Sequence, residues 1–355
     1  MKIPHNKPSI NGKEIDAIKE VLSSGWIVQG EKVRLFEDNI SEYIGLKKGS
    51  AVALSNGTSA LYLALKVLGV GSHLDEVIIP NYVCSALLNA IFLNDAKPII
   101  VDVDLSDFNM TYEEIQKKIN KNTKAIILPH TFGVPADVHR MKDLDIPIIE
   151  DCAQALGSKI NDKHVGSIGD IAIFSFYATK LITTGQGGML VSQIPEYIEK
   201  ARDYREYDLR KDYYPRFNFQ MTDIQAVMGI VQLKKFNMFL KKRKTIADKY
   251  INICQQKGWD YQNVKNLNFT QNWFRFVLIL ENKIVNDLKN HLSNFNISSV
   301  IPIEKWQLLS SYLNLNINNF KNSELITEIT LSIPIFPDLL DDDNFERLLE
   351  VLRNF

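Results

Sequence analysis

Short, almost wholly apolar segments alternate with helical segments between residues 51 and 190, and this alternation limits the folds open to the chain. Segments of this kind are typical of strands buried on both faces of a parallel sheet. Helical segments between them predict βαβ units with right-handed crossovers. Ligands of such sheets bind at the carboxyl ends of the strands. The predicted strands are "AVALS" (51–55), "EVIIP" (76–80), "KPIIVDV" (97–103), "KAIILPH" (124–130), "IPIIEDC" (146–152) and "IAIFSF" (171–176).

Helices are predicted on both sides of this region by apolar residues at helical spacing. The long segment 221–256 has Thr222 or Asp223 near its N-cap. We expect this helix to lead from a large domain, residues 1–235, into a smaller C-terminal α+β domain, residues 236–355. The other predicted elements are helices at 12–22, 33–43, 194–206, 283–294 and 343–353 and strands at 274–280 and 330–335.

Composition excludes several classes of function. Lys plus Arg (41) nearly cancels Asp plus Glu (42), so no net field favours nucleic acid or an anionic membrane. The three cysteines, Cys84, Cys152 and Cys254, are too few and too scattered for a disulfide framework or a zinc site. The N-terminal sequence lacks a secretory apolar region, and no apolar run reaches the ~20 residues of a membrane-spanning helix. We therefore expect a cytoplasmic protein that binds neither nucleic acid nor membrane.

Asp151 ends a predicted buried strand, and Gln154 follows three residues later. A lone Asp at this point could simply cap the next helix. Its position at the carboxyl end of the strand also makes it a candidate active-site carboxylate. A buried carboxylate is costly without a partner, so this second interpretation requires a cation nearby.

The segment "SNGTSA" (55–60) places Gly57, Thr58 and Ser59 where a strand turns into a helix. Free backbone N–H groups, the helix dipole and two hydroxyls would make an anion site there. The same residues are also compatible with an ordinary capped turn. Ser175 offers a further hydroxyl five residues before Lys180, although a buried Ser more often bonds only to the backbone.

Lys180 follows an apolar strand and precedes a cluster of glycines. A partly desolvated amine has a lowered pKa and can form a Schiff base. A lysine for an aldehyde, a carboxylate for a ring cation and a helix N-terminus for a phosphate are together the partners that pyridoxal 5'-phosphate (PLP) needs.

Four ordered motifs resemble those of the DegT/StrS-type sugar aminotransferases. They are "SNGTSAL", "EDCAQALG", "GDIAIFSFYATKLITTGQGGML" and "FNFQMTDIQAVMG", and "SSGWIVQGEKVRLFE" and "SIPIFPDL" extend the resemblance over nearly the whole chain. The resemblance implies the PLP-transferase type I fold, in which a large domain with a mostly parallel central sheet flanked by helices precedes a smaller α+β domain.

The resemblance also implies roles for individual residues. Lys180 would form the Schiff base and move protons, Asp151 would pair with the pyridine nitrogen, and Gln154 would hydrogen-bond the ring hydroxyl. The Gly57 backbone, Thr58 and Ser175 would hold the phosphate. Asn218 would reach the phosphate of the neighbouring subunit's cofactor, which implies a homodimer with shared active sites.

The chain departs from the family pattern at several positions. Cys84 stands where relatives carry an aromatic residue stacked on the cofactor ring, so either Cys84 packs on the ring or Tyr82 supplies the stack; we favour Cys84. Gln186 replaces the usual Glu of the glycine cluster, and Gln220 replaces the usual Arg. The loop between Arg205 and Asn218 is short, which leaves the substrate as the least determined feature.

The leading hypothesis is a ping-pong transaminase that moves the amino group of L-glutamate to a keto group of a nucleotide-linked sugar, in amino-sugar biosynthesis for a surface polysaccharide or glycan. A smaller phosphorylated ketone is an alternative acceptor. The sugar-dehydratase branch of the family has a histidine in place of Lys180, which argues against that activity. A non-catalytic homologue would be expected to have lost cofactor contacts, and these are present.

Three other conspicuous groups receive simpler interpretations. His130 is expected near the site without being catalytic. The run "KKRK" (241–244) is expected on the solvated face of the long helix. The aromatic residues of the 207–220 loop are expected to pack against a partner subunit or substrate.

Overall fold

The computed structural model describes residues 2–264 and 266–355, and its elements follow the predicted order. The helices are α1 (Gly12–Ser24), α2 (Glu31–Tyr43), α3 (Gly57–Val67), α4 (Ala86–Leu93), α5 (Tyr112–Gln116), α6 (Val138–Met141), α7 (Pro195–Arg205), α8 (Asp223–Lys257), α9 (Asn282–Asn294), α10 (Leu309–Tyr312), α11 (Lys321–Ile329) and α12 (Asn344–Asn354). The strands are β1 (Ala51–Leu54), β2 (Glu76–Pro80), β3 (Lys97–Val101), β4 (Thr123–Pro129), β5 (Ile148–Asp151), β6 (Lys159–Ile160), β7 (Lys163–His164), β8 (Ile171–Ser175), β9 (Gly188–Val191), β10 (Asp260–Tyr261), β11 (Phe269–Thr270), β12 (Phe276–Ile279) and β13 (Thr330–Ile333).

Seven strands form the central sheet in the order β1-β9-β8-β5-β4-β2-β3. Five of them, β3, β2, β4, β5 and β8, run parallel, and β9 is antiparallel to both β8 and β1. The prediction of an α/β fold with a mostly parallel sheet is confirmed. The prediction that the strands are buried on both faces was wrong for β3. Its Lys97 is exposed because β3 lies at the edge of the sheet.

Alternate residues of each central strand pack into different cores. In β5, Ile148 belongs to the core that α2 and the first half of α8 cover, whereas Ile149 belongs to the core under α3, α4 and α7. Ile126 and Ile127 of β4 divide in the same way. The two polar residues that follow in β5, Glu150 and Asp151, therefore also point to opposite faces of the sheet.

Helix α8 begins with a capping box in which Thr222 and Gln225 bond to each other's backbone N–H groups. Thr222 is thus the N-cap, as one of the two predicted alternatives had it. Asp223 has a different role, because its carboxylate accepts hydrogen bonds from the backbone N–H groups of Gly30 (2.8 Å) and Val33 (3.0 Å). This carboxylate fixes the start of α2 against α8.

A third core forms where the C-terminal half of α8 meets α9, α12 and the antiparallel sheet β10-β12-β13. Phe236 and Phe239 of α8 pack in a core of the central sheet, and from Ile246 onward the buried apolar residues of α8 belong to the third core. Ile3 also packs there. The expectation that the run "KKRK" is solvated was wrong for Arg243, which is buried because it donates to backbone carbonyls of other segments. The division into domains at residues 235 and 236 stays a prediction. Among the described residues, no helix combines the length and the apolar character needed to cross a bilayer.

Candidate active site

Two cavities meet at the carboxyl ends of β5 and β8. The smaller, of about 210 Å³, extends toward β12 and the segment 302–312, and the larger, of about 350 Å³, extends toward the start of α3. Four residues line both: Cys84, Asp151, Ala153 and Lys180. The sequence-predicted lysine and carboxylate are therefore brought together at the junction of the two cavities.

The larger cavity ends in an anion cradle at the N-terminus of α3. The Asn56 side chain caps the helix by accepting from Ser59 N (2.9 Å), and the N–H groups of Gly57 and Thr58 have no acceptor among the described residues. A Cβ built on Gly57 would lie 3.0 Å from the Ser175 Cβ and 3.3 Å from its Oγ. The Ser175 hydroxyl thus faces the bare start of the helix, an arrangement suited to a phosphate.

Gly188, at the start of β9, belongs to the glycine cluster that follows Lys180, and the structure explains why glycine is needed there. A Cβ on Gly188 would overlap the carbonyl of Asn56, because β9 runs directly beside β1 at this point. Only glycine allows the two chains to come this close. The close approach brings the glycine cluster beside the anion cradle.

Asp151 is the last residue of β5 and is buried. One of its oxygens accepts a hydrogen bond from Ala153 N at 3.0 Å. Burial raises the pKa of this carboxyl, and the Ala153 hydrogen bond and the charge of Lys180 oppose that rise in part. A ring cation next to Asp151 would favour its ionised form.

Gln154 presents its amide in a fixed orientation. Its Oε1 accepts from Phe132 N at 3.0 Å, and its backbone carbonyl accepts from the Asn272 side chain at 2.9 Å. Since the oxygen is already engaged, the Nε2 donors remain for a ligand in the cavity that Gln154 lines.

Lys180 lies in the turn that follows β8, where its backbone N–H donates to the Tyr177 carbonyl at 2.9 Å. Its Nζ is 5.4 Å from the centroid of the Phe274 ring. Desolvation lowers the pKa of the amine, although the nearby Cys84 and Asp151 oppose this. A lowered pKa increases the fraction of neutral, nucleophilic amine at neutral pH.

Glu150 and His130 form a second polar group on the other face of the sheet. His130 accepts from Ala136 N through Nδ1 (3.0 Å), so its Nε2 carries the proton and donates to Glu150 (3.1 Å). His130 also lines the smaller cavity. This agrees with the expectation that it lies near the site, and its ring nitrogens are both occupied by structural hydrogen bonds.

Cys84 and Tyr82 occupy different positions relative to the cavities. Tyr82 is fully buried and packs edge-on against Phe108 and Phe132. Cys84 is exposed to the cleft between the two cavities, whose walls desolvate the thiol and, with Asp151, raise its pKa. A neutral thiol beside Asp151 and Lys180 can pack on a ring face.

Asn218 does not join the other candidate residues of its own chain. It is exposed in the loop before α8 and lines neither cavity. Gln220 donates to Glu206 at 2.7 Å and therefore lies in a separate polar cluster. The backbone carbonyl of Gln186 accepts from Gln225, and its exposed side chain borders the larger cavity.

Several residues of the smaller cavity were not singled out from the sequence. Arg275 precedes β12, and Gln307 and Tyr312 lie in the segment that follows the β12–α9 unit. The neighbouring Phe274 does not line this cavity, although its ring lies beside Lys180 Nζ. The pattern "FRFVLIL" predicts a strand, but a strand pattern does not indicate which residue reaches a site in another part of the chain.

Residues 8–353 match the DegT/DnrJ/EryC1/StrS aminotransferase family. The chain belongs to this family. It is 36% identical to the GDP-perosamine synthase of Escherichia coli O157:H7 over 82% of each chain. It is 29% identical to the spore coat polysaccharide biosynthesis protein SpsC of Bacillus subtilis, covering 99% of this chain and 96% of the relative.

Solved structures give the same result. Spr1654 of Streptococcus pneumoniae, described as a sugar aminotransferase, matches in its PLP form with a TM-score of 0.91 and 27% identity, covering 100% of this chain and 98% of that one. Its pyridoxamine phosphate (PMP) form also matches with a TM-score of 0.91. The predicted PLP-transferase fold, the cofactor and the transaminase class are confirmed.

The site itself fits this cofactor. The free N–H groups at the start of α3 and the Ser175 hydroxyl opposite them are the hydrogen-bond donors that a phosphate needs. A Cβ on Gly57 would fill the space between them. Asp151 is a buried carboxylate with few donors of its own, which suits a pyridinium. Lys180 is a desolvated amine at the same wall.

Proposed function

We propose that the chain transfers the amino group of L-glutamate to a keto group of a nucleotide-linked sugar, as a cytoplasmic homodimer with shared active sites. The proposal rests on one observation: Lys180 and Asp151 lie together where the cavity that contains the anion cradle adjoins the smaller cavity. The cradle would take the cofactor phosphate, and the smaller cavity leaves room for the reacting part of a substrate.

Each candidate residue would then hold one part of the cofactor. Gly57 and Thr58 N–H and the Ser175 hydroxyl would bind the phosphate, and Asp151 would keep the ring nitrogen protonated. Gln154 Nε2 would donate to the ring hydroxyl. The Cys84 thiol would pack against one face of the ring.

When bound, PLP supplies an electron sink that stabilises negative charge on the substrate carbon. Lys180 would attach the cofactor between turnovers and then carry a proton between that carbon and the cofactor. Its lowered pKa suits the second task, because the amine must be neutral to accept the proton. The apolar Phe274 ring beside Nζ would limit the access of water to the same atom.

The proposal that the acceptor is a nucleotide-linked sugar rests on the names of two relatives. The E. coli relative is named for a GDP-linked sugar product and the B. subtilis relative for polysaccharide biosynthesis. These names support a nucleotide-linked keto sugar and a role in making a surface polysaccharide or glycan. A smaller phosphorylated ketone would fit the same chemistry and is distinguished by a substrate screen.

Mixing the PLP-loaded protein with L-glutamate tests the first half of the reaction. The cofactor absorption should change to that of the pyridoxamine form, with one 2-oxoglutarate released per site. Addition of 3-keto and 4-keto sugar nucleotides, or of phosphorylated ketones, should restore the PLP spectrum with the true acceptor only. A protein whose spectrum does not respond to glutamate would contradict the proposed donor, and one that responds to no amino donor would be a non-catalytic homologue.

A further inference from the structure

Arg275 lies in the smaller cavity within reach of the same aromatic ring as the reactive lysine. Its guanidinium carbon is 5.9 Å from the Phe274 centroid and 5.2 Å from the Phe132 centroid. Lys180 Nζ is 5.4 Å from the Phe274 centroid, and both cations line the cavity. The charge of Arg275 also contributes to the lowered pKa of Lys180.

No hydrogen-bond acceptor or carboxylate among the described residues pairs with Arg275, whose guanidinium lies beside the two aromatic rings. Its Nε and Nη1 atoms are shielded from solvent and have no hydrogen-bond partner, and no described carboxylate forms an ion pair with it. Arg205, by contrast, is paired with Glu37 at 2.7 Å, and Arg243 donates to three backbone carbonyls. Burying an unpaired guanidinium is costly, so its presence in a ligand cavity indicates an anion supplied by the ligand.

We propose that Arg275 binds the α-carboxylate of the amino donor, an inference that rests on the proposed transamination. The carbon that carries the transferred amino group must come close to Lys180 Nζ. In an amino acid the α-carboxylate is bonded to that same carbon, so it falls near Lys180, within the cavity that Arg275 also lines. A guanidinium matches a carboxylate with two parallel hydrogen bonds.

The position of Arg275 favours the donor over the nucleotide. Arg275 lines the cavity of about 210 Å³ whose wall also contains Lys180. The diphosphate of a sugar nucleotide is also several bonds away from the carbon that reacts. Arg275 would therefore contribute to the donor half of the reaction and much less to the sugar half, which makes it a specificity-determining residue.

Glutarate, an unreactive dicarboxylate, tests this binding role without turnover. Titrated into PLP-loaded protein, it should bind Arg275→Gln about 10–100-fold more weakly than the unsubstituted protein. Arg275→Lys should recover part of the affinity. Arg140→Gln is the matched control, because Arg140 is exposed and pairs with Glu113 on the surface. The 1-amide of glutamate, which lacks the α-carboxylate, should compete equally in all four proteins.

The two halves of the reaction give the second readout. In Arg275→Gln the second-order rate constant for conversion to the PMP form by L-glutamate should fall by about 10–100-fold. Amination of the sugar nucleotide by protein loaded directly with PMP should stay within about threefold. Equal losses in both halves, or a loss confined to the sugar half, would overturn the assignment.

Failure of the proposed function has a different signature. If the unsubstituted protein is not converted by glutamate, glutamate is not the donor, and the glutarate titration still decides the role of Arg275. Equal glutarate affinity in the Arg275→Gln and unsubstituted proteins would show that Arg275 is not a carboxylate site.

Discussion

Glu150 and Asp151 are consecutive residues of β5, yet their carboxylates lie on opposite faces of the central sheet and their pKa values shift in opposite directions. Glu150 accepts from the N–H groups of Gly166, Ile168 and Gly169 at 2.6–2.9 Å and from His130. Burial opposes its ionisation, but these donors outweigh burial and lower its pKa. Asp151 has one backbone donor, and burial raises its pKa.

Glu150→Gln should therefore lower the free energy of unfolding by about 2–4 kcal/mol at pH 7, because an amide NH₂ would face backbone donors. A lowered folded-state pKa means that this stabilisation is present above the usual value of 4.5 and is lost as the pH falls through the folded-state pKa. Denaturant titrations should show a smaller difference in the free energy of unfolding between the variant and the unsubstituted protein below pH 4.5 than at pH 7. A constant difference would contradict the account, and Glu113→Gln on the surface is the control.

Asp151→Asn should separate stability from function. The pKa of Asp151 is raised in the folded state, so the ionised carboxylate lowers the free energy of unfolding of the cofactor-free protein at pH values above 3.8. This destabilisation disappears as the pH falls toward 3.8. Cofactor-free Asp151→Asn should thus melt at a higher temperature than the unsubstituted protein at pH 7. Its turnover should fall roughly 10²–10³-fold, since the pyridinium loses its partner. A lower melting temperature would argue against a destabilising charge.

Gly57→Ala should weaken cofactor binding by about 10–100-fold, because the added Cβ enters the anion cradle beside Ser175, where the cofactor phosphate is proposed to bind. Alanine is the better helix former, so the fold should be retained. Gly12 supplies a matched control: it also starts a helix after an Asn cap, and a Cβ there meets nothing within 4 Å. Fluorescence titration with PLP measures the effect, and equal affinities of the two variants would exclude the cradle.

Mixing two inactive variants tests the shared site. If Asn218 acts on the neighbouring subunit, refolding Lys180→Ala together with Asn218→Ala should regenerate roughly a quarter of the unsubstituted activity, since half of the dimers are hybrids with one intact site. If the Asn218→Ala homodimer is about as active as the unsubstituted protein, Asn218 does not contribute to the active site. An inactive mixture would place Asn218 in its own subunit's site or in a structural role.

The sequence was sufficient for the features that depend on local pattern. Alternating apolar strands and helices predicted the mostly parallel sheet, and polar residues at strand ends placed Lys180 and Asp151 at one edge of it. The helix start at Gly57 followed from the same logic, because a strand that turns directly into a helix leaves backbone donors free. Sequence motifs then identified the cofactor.

Features that depend on distant contacts were not predictable in this way. Asp223 was one of two candidates for the N-cap of α8, but its carboxylate binds backbone N–H groups at the start of α2, about 190 positions away in the chain. Arg275 lies within a strand-like pattern, and only the tertiary fold brings it into the cavity that Lys180 also lines. The apolar residues that flank Glu150 and Asp151 in β5 do not reveal which of the two carboxylates lies at the cavities, and only the resemblance of "EDCAQALG" to the family motif indicated Asp151.

The most direct test of the central claim follows the amino nitrogen itself. PLP-loaded protein is incubated with ¹⁵N-labelled L-glutamate, freed of small molecules, and given a keto-sugar nucleotide without any other amino donor. We expect one equivalent of ¹⁵N-amino sugar nucleotide per site and the return of the PLP spectrum, with neither in Lys180→Ala. A PMP-loaded protein that transfers no ¹⁵N to any keto-sugar nucleotide would contradict it.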